Sequence, residues 1–237
     1  MTANLEIKDD VSIITLDDGK VNAFSPDMIK LINELLDKVP DNKGSLLIAG
    51  REGMFSAGFD LKVMMSNPEN ASQMVKSGFE MLLRIFSFPR PVVAACSGHA
   101  IALGAFLLCS SDYRVGSKGN FKIGANELRN NMIIPTPILE IAKFKLNKAH
   151  KQRALLNAEM YAIEDAIEQG YLDEVVAPEK VFEVAGWRPK NGIKLRTDKP
   201  VGVMFRCCDN SKMLSYYKPK ISLEEGIKRS LEHFKNK

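Results

Sequence analysis

The chain has 237 residues, of which 45% are hydrophobic, so it is long enough to bury one sizeable core. Its formal net charge of +4 comes from scattered Lys and Arg, whereas a nucleic-acid-binding protein usually shows a denser basic stripe, and we expect no nucleic-acid partner. The absence of an apolar run of about 18 residues and of a signal-peptide pattern predicts a cytoplasmic protein without membrane insertion.

Strands and helices alternate along the first 180 residues. Ser25-Pro26 and Asn67-Pro68 each combine an N-cap residue with proline at the first helical position, which predicts two helix starts. The predicted elements are two strands in 5–16, a helix from 26 to 39, a strand over 45–50, a helix from 68 to 86, a strand over 91–96, a buried helix over 101–110, a strand over 112–115, a helix ending at 144, a helix over 163–169 and a strand over 173–176.

This alternation predicts an α/β fold, but the last part of the chain has a different composition. Residues 187–200 (WRPKNGIKLRTDKP) are polar and basic and predict a solvated loop, and SLEE (222–225) is a capping box that opens a final amphipathic helix. We therefore divide the chain into a core at 1–180 that carries the ligand site and a polar, helical region at 181–237. The four cysteines fit no metal-ligand spacing, and we expect reduced thiols and no metal site.

Two segments place small residues directly after predicted strands. In MFSAGFDLK (54–62), small residues let the backbone approach a ligand, so that N–H groups could bind an anionic oxygen, although a structural turn is an equal alternative. SGHAIALGAFLL (97–108) leads into a helix whose first N–H groups are free. Donors from the two segments could converge on one carbonyl oxygen, and close helix packing is the alternative explanation for the second segment.

FSAGFDL and SGHAIALGA together resemble the crotonase (enoyl-CoA hydratase/isomerase) superfamily. Further matching segments are KVNAFSPDM (20–28), DYRV (112–115), FKIGANEL (121–128) and AIEQGYLDEVV (166–176), so the resemblance covers roughly residues 5–180. It implies an α/β fold with a crotonase-type ββα spiral core and a short C-terminal helical region. It also implies an acyl-CoA thioester substrate and no separate cofactor, because coenzyme A is part of the substrate.

The resemblance also assigns roles to individual residues. It places the two backbone N–H donors for an enolate oxygen at Phe59 and Leu103, with Gly104 as the alternative second donor. Glu127 matches the catalytic glutamate of the IGANE segment, whereas an isolated Glu would by default be a surface acid. The coenzyme A contacts fall on Lys20, Ala23, Ala57, Gly58, Asp60, Leu61 and Lys62. The two lysines would meet the phosphates, although exposed lysines without a ligand are an equal alternative.

One acid of the family pattern is missing. Family hydratases carry a first glutamate where this chain has Phe106, and no acidic residue occurs from Ala95 to Ser111. Hydration uses two carboxyls, whereas moving a double bond from C3–C4 to C2–C3 needs one base that returns a proton. We therefore predict a Δ3,Δ2-enoyl-CoA isomerase. The alternatives are an enoyl-CoA hydratase or another crotonase-type reaction, and a non-catalytic acyl-CoA-binding protein.

The remaining polar residues of these segments have structural explanations. We expect Asp112 to order a turn, Glu140 to be exposed on a helix and His99 to pack beside its loop. Asn131 stands near the position of a family glycine, which predicts a reshaped acyl pocket. The resemblance further implies a homotrimer or dimer of trimers, with region 181–237 contributing to oligomerisation and covering the site.

Overall fold

The computed structural model describes residues 2–187, and its longer elements begin where the sequence predicts. The Ser25 hydroxyl accepts a hydrogen bond from the Met28 N–H at 3.2 Å, and the Asn67 side chain accepts one from the Asn70 N–H at 2.8 Å. Both predicted N-caps are therefore formed. The predicted loop over 187–200, beyond its first residue, and the final helix opened by 222–225 lie outside the described residues.

Twelve strands and eight α-helices make up the described part of the chain. The strands are β1 (Ala3–Lys8), β2 (Val11–Leu16), β3 (Ala23–Phe24), β4 (Ser45–Ala49), β5 (Gly53–Ser56), β6 (Gly58–Phe59), β7 (Val92–Cys96), β8 (Gly98–Ile101), β9 (Tyr113–Ser117), β10 (Lys122–Gly124), β11 (Tyr161–Ala162) and β12 (Glu174–Val176). The helices are α1 (Pro26–Leu36), α2 (Leu61–Met64), α3 (Pro68–Phe86), α4 (Leu103–Ser110), α5 (Thr136–Lys145), α6 (Lys151–Leu155), α7 (Ala166–Gln169) and α8 (Val181–Trp187), with 3₁₀ turns at Glu127–Asn130 and Pro178–Lys180.

A six-stranded sheet forms the centre of the fold, in the order β1-β2-β4-β7-β9-β12. Only β1 and β2 pair antiparallel, and the other neighbours are parallel. The strands β4 and β7 are buried along their whole length, as continuous apolar runs in a covered parallel sheet require. One face carries the main core beneath α1 and α3, and α8 covers the other face through Val181 and Ala185.

A second, four-stranded sheet has the order β11-β10-β8-β5 and was not predicted as a sheet. Because β8 occupies residues 98–101, the buried helix α4 begins at Leu103 rather than at 101 as predicted. Ile101 pairs with Gly124, and the Ala102 N–H donates to the Gly124 carbonyl at 3.0 Å, so these residues are held out of the helix. The predicted helix over 163–169 is likewise shorter, because α7 begins at Ala166.

An ion pair between a buried arginine and a partly exposed aspartate joins the central sheet to the turn before β12. The Arg114 side chain is 6% exposed, and its guanidinium donates to both carboxylate oxygens of Asp173 at 2.7 and 2.6 Å. The third guanidinium nitrogen, Nη1, donates to the Gly170 carbonyl at 3.0 Å, and the backbone N–H of Arg114 also donates to the Asp173 carboxylate. Such a bidentate pair satisfies a charge that would be costly to leave alone in the core.

We expect Asp173→Ala to lower the free energy of unfolding by about 3 kcal/mol, because the Arg114 charge would remain buried without its partner. Asp37→Ala is the matched control, since it removes an acid whose partner Arg84 lies at the surface, and it should cost less than about 1 kcal/mol. Urea unfolding of both variants measures the difference. Equal costs for the two variants would contradict this account of the Arg114 pair.

Candidate active site

Three parallel strands of the four-stranded sheet end at the same edge. In the register, Ser56 of β5 lies opposite Ala100 of β8, and Ile123 of β10 lies opposite the same Ala100. The segments that follow these strands are 57–59, 102–103 and 125–127, which contain the three predicted catalytic positions. Ligand sites typically form where parallel strands end at their carboxyl edge, so the sheet brings the predicted site together at one place.

The first two of these segments touch each other at Gly58. A Cβ atom on Gly58 would lie 2.7 Å from the Cβ of Ala102 and 3.3 Å from the backbone N of Leu103. The φ of Gly58 is +93°, a conformation that glycine adopts without strain. The predicted donors Phe59 and Leu103 therefore lie on adjoining backbone segments, although they are far apart in the sequence.

The residue predicted as the second donor, Leu103, lies at the start of α4. The first N–H groups of a helix have no partner within the helix and carry partial positive charge. Leu103 and Gly104 both belong to this first turn, whereas Ala105 and Phe106 already donate to the Ala102 carbonyl. The geometry is thus compatible with either Leu103 or Gly104 as the second donor.

The side chains of both donor residues pack under α3. A Cβ atom on Gly78 would lie 2.5 Å from the Phe59 ring and 3.2 Å from the Leu103 side chain. The Phe59 ring also meets Phe79 edge-on, with 5.7 Å between the ring centroids. The absence of a side chain at Gly78 therefore lets α3 lie directly on the segments that carry both predicted donors.

Ala102 precedes α4 in a strained backbone conformation. Its φ is +54° and its ψ is −122°, a combination that costs a residue with a Cβ of the order of 1–3 kcal/mol. The residue is held there by its hydrogen bond to Gly124 and by the following helix. Strain of this kind persists where the surrounding packing fixes the backbone. Here the conformation of Ala102 joins the end of β8 to the start of α4 at the edge of the sheet.

Replacing Ala102 by glycine should raise the free energy of unfolding by about 1 kcal/mol, because glycine adopts the observed φ without strain. The gain is limited by the larger conformational freedom of glycine in the unfolded chain. Thermal unfolding of Ala102→Gly against the unchanged protein measures it. Ala100→Gly is a control in a regular strand position, where the same substitution should destabilise.

The predicted coenzyme A residues line one cleft of about 430 Å³, which Phe59 also borders. Six of the seven predicted contacts lie around it: Lys20, Ala23, Ala57, Asp60, Leu61 and Lys62. The seventh, Gly58, is buried against Ala102. Asp60 caps α2, because its carboxylate accepts the Lys62 N–H at 2.8 Å, and so it fixes the helix that carries Lys62.

Two residues that the sequence reasoning missed hold the other wall of this cleft. The Asp18 carboxylate accepts the N–H groups of Lys20, Asn22 and Ala23 at 2.7, 2.9 and 3.1 Å. Asn22 is fully buried, and its amide donates to the carbonyls of Leu16, Met54 and Phe55. The Asp-Asp-Gly sequence at 17–19 is a turn signal that could have indicated this loop.

Glu127 begins the 3₁₀ turn at the end of β10 and is only 6% exposed. Its Oε2 atom is buried and has no hydrogen-bond partner among the described residues. Loss of hydration on burial raises the pKa of the carboxyl from 4.5 to about 7, although a hydrogen bond from its own backbone N–H opposes the shift. The prediction that Glu127 is not an ordinary surface acid is consistent with this geometry, and a carboxyl with such a pKa is suited to exchanging protons near neutral pH.

The turn that begins at Glu127 explains why asparagine can stand at position 131, near the position of a family glycine. Asn131 has φ +55°, in the left-handed region, and the Met132 N–H returns to the Glu127 carbonyl at 3.0 Å. Asparagine tolerates this conformation better than most residues with a Cβ. Asn131 can therefore close the turn where the family has glycine.

The other candidate side chains have structural partners. The Nδ1 atom of His99 accepts the Lys122 N–H at 3.0 Å, and the Asp112 carboxylate accepts the Val92 N–H at 2.8 Å. Glu140 is exposed and pairs with Lys143. Every residue of α4 is buried, and the helix contains Phe106 but no acid. Among these acids, Glu127 is the buried one that follows a strand ending at the same sheet edge as the predicted donor segments.

Replacing Glu127 by glutamine should stabilise the protein at high pH. A carboxyl whose pKa is about 7 in the folded state and 4.5 otherwise costs up to about 3 kcal/mol once it is ionised. This cost is absent below pH 4.5, grows between pH 4.5 and 7, and is constant above pH 7. The stabilising effect of Glu127→Gln should follow the same course in thermal unfolding, with Glu140→Gln as an exposed control. An effect equal at pH 4 and pH 8 would contradict it.

The fold and the arrangement of this site identify the class of protein. The model of the family described as enoyl-CoA hydratase/isomerase matches residues 6–188. The chain therefore belongs to the enoyl-CoA hydratase/isomerase family, and the predicted α/β fold of the crotonase type is confirmed by its structural relatives. Among the described residues, no helix is long and apolar enough to cross a membrane, and no three His, Cys, Asp or Glu side chains cluster as metal ligands.

Named relatives include both isomerases and hydratases. Enoyl-CoA delta isomerase 3 of Arabidopsis thaliana is 31% identical over 177 residues, which are 71% of this chain and 74% of the relative. A probable enoyl-CoA hydratase of Bacillus subtilis is 32% identical over 136 residues, 56% of this chain and 52% of that protein. A solved enoyl-CoA hydratase/isomerase family protein from Pseudomonas syringae is 39% identical, with a TM-score of 0.78 over 84% of this chain and 87% of its own.

Proposed function

We propose that the protein is a Δ3,Δ2-enoyl-CoA isomerase in which Glu127 is the single acid–base residue. The observation that carries this proposal is the buried Glu127 carboxyl, with an unpartnered oxygen and a pKa of about 7, at the same sheet edge as Phe59 and Leu103. The helix that begins at Leu103 supplies no second acid. A single carboxyl next to two backbone donors matches the needs of proton transfer better than those of hydration.

The reaction moves one proton and no other group. Ionised Glu127 removes a proton from C2 of the 3-enoyl thioester, and the electron pair spreads onto the thioester oxygen and C4. The N–H groups of Phe59 and Leu103 hydrogen-bond the oxygen as its negative charge develops, which is the type of stabilisation with the largest effect on such reactions. Protonated Glu127 then returns a proton to C4, which leaves the double bond at C2–C3 and restores the carboxylate.

The environment of the site suits this chemistry. A buried carboxylate with one unpartnered oxygen is a stronger base than one in water, and a pKa near 7 lets the same group accept and return a proton. Phe106, buried at 1% exposure, occupies the helix position of the missing acid and leaves no carboxyl there to hold an attacking water. The reaction therefore ends at the isomer.

The cleft beside Phe59 is the proposed site for coenzyme A. Lys20 and Lys62 border it from two separate loops and would pair with the phosphates, while the backbone at Ala23 and Ala57 would contact the adenine and pantetheine. The substrate thioester then reaches the donor segments at Gly58. The homotrimer and the cytoplasmic location implied by the sequence stay predictions.

Glu127→Gln tests the proposal directly. We expect kcat for a 3-enoyl-CoA to fall by about 10²–10⁴, the usual contribution of a positioned acid–base group, with little change in KM. The unchanged enzyme should lose kcat/KM as the pH falls through about 7, because the carboxyl is then protonated. Product formation is followed by the absorbance of the conjugated 2-enoyl-CoA, and Glu140→Gln is the matched control.

The alternatives give different results in the same assay. Incubation with a 2-enoyl-CoA should yield no hydrated product, and mass measurement detects the added water if it forms. Hydration by the unchanged enzyme would favour the hydratase alternative. Binding of acyl-CoA thioesters without turnover of either substrate would favour a non-catalytic binder, and wild-type turnover by Glu127→Gln would remove Glu127 from the mechanism.

A further inference from the structure

We propose that the Ser56 hydroxyl is a positioning group for the oxyanion hole, an inference that rests on the proposed function. Ser56 is the last residue of β5 and is fully buried. Its Oγ donates to the Asn22 carbonyl at 2.8 Å and accepts the Gly58 N–H at 3.1 Å. One hydroxyl therefore connects the loop that walls the coenzyme A cleft with the segment that carries Phe59.

Ser56 also contacts the second donor segment. A Cβ atom on Gly104 would lie 2.6 Å from the Ser56 carbonyl oxygen and 2.9 Å from its Cβ, so the first turn of α4 rests directly on this residue. Ser56 thus touches both backbone segments whose N–H groups would bind the substrate oxygen. Ser56 is buried behind these segments and is not one of the predicted donors.

The hydrogen bond to Gly58 fixes the direction of the donor at Phe59. Because the Gly58 N–H is bound to Ser56, the peptide plane before Gly58 cannot turn towards the ligand. Gly58 has φ +93° and no side chain, and besides this hydrogen bond it is held by the pairing of β6 with β3, in which Gly58 lies opposite Ala23 and Phe59 opposite Phe24. Removing the hydroxyl would leave this N–H buried without an acceptor, and the flexible glycine would reorient to find one. The N–H of Phe59 would move with it.

Such a role has a distinctive kinetic signature. The hydroxyl does not touch substrate, so binding of a saturated acyl-CoA should not depend on it. Only states with negative charge on the thioester oxygen require accurately aimed N–H groups. We therefore expect Ser56→Ala to lower kcat about 10-fold, while KM for the 3-enoyl-CoA and the affinity for a saturated acyl-CoA change less than about twofold.

A 3-ketoacyl-CoA gives a readout that does not require turnover. When it binds, its C2 proton passes to Glu127 and the charge moves onto oxygen, and the resulting enolate is measured by its ultraviolet absorbance. Ser56→Ala should lower the enolised fraction of the bound ligand at fixed pH. If the unchanged protein forms this enolate but does not isomerise a 3-enoyl-CoA, the proposed function fails while the role of Ser56 is still tested.

Ser110→Ala is the matched control, because it removes a buried hydroxyl that bonds only the Phe106 carbonyl at 2.9 Å within α4. It should leave kcat and the enolised fraction unchanged. Equal values for Ser56→Ala and Ser110→Ala would overturn the inference, as would a loss of saturated acyl-CoA affinity as large as the loss of kcat.

Ser56→Cys keeps the experiment decisive if Ser56→Ala does not fold. Cysteine has a similar volume and retains a weak acceptor. We therefore expect kcat and the enolised fraction to be lower than in the unchanged protein but not zero. Wild-type values of both quantities in Ser56→Cys, with Ser56→Ala unfolded, would show that the residue serves packing alone and would overturn the positioning role.

Discussion

The contact between β8 and β5 is the constraint on which the site depends. A Cβ atom on Gly98 would lie 1.9 Å from the carbonyl carbon of Gly53, so the two strands approach at a distance that no side chain at residue 98 would allow. This approach sets the register in which β5, β8 and β10 run parallel and end together. A shift of β8 along β5 would separate Gly58 from Ala102, and β10, which pairs with β8, would carry Glu127 away from the Phe59 segment.

Two features of the candidate site lower the stability of the folded protein. Glu127 holds a carboxyl in an apolar setting, and Ala102 holds a backbone conformation that suits glycine. Ala102 directly precedes the predicted donor Leu103, and Glu127 follows a strand that ends at the same sheet edge, whereas the Arg114–Asp173 pair and the continuous apolar strands lie elsewhere in the fold. Two unfavourable features thus lie at the candidate active site, as is common at functional sites.

The sequence predicts the elements whose signals are local. The helices after Ser25 and Asn67 have both an N-cap and an apolar stripe, and the strands at 45–49 and 92–96 have long apolar runs. The two- to four-residue strands of the smaller sheet are too short for a periodic pattern. They exist because distant segments pair with one another, and no single segment carries that information.

The site could be predicted only in part, because most of its contacts also join segments that are distant in the sequence. Glu127, Phe59 and Leu103 were found from a family pattern, because backbone donors leave no chemical signature in side chains. Asn22 and Ser56 were missed since buried hydrogen bonds to carbonyls and N–H groups are invisible in the types of the residues themselves. The positive φ of Ala102 could not be predicted either, because alanine gives no indication of it.

The segments of the two predicted donors meet at Gly58 although 43 residues lie between Phe59 and Leu103 in the sequence. The proposed oxyanion hole therefore depends on the long-range pairing of β5 with β8 and is not a local loop that exists without it. Loss of this tertiary contact would abolish both donors together. The site is consequently coupled to the cooperative unfolding of the core, and it cannot fray independently in the way that a surface loop does.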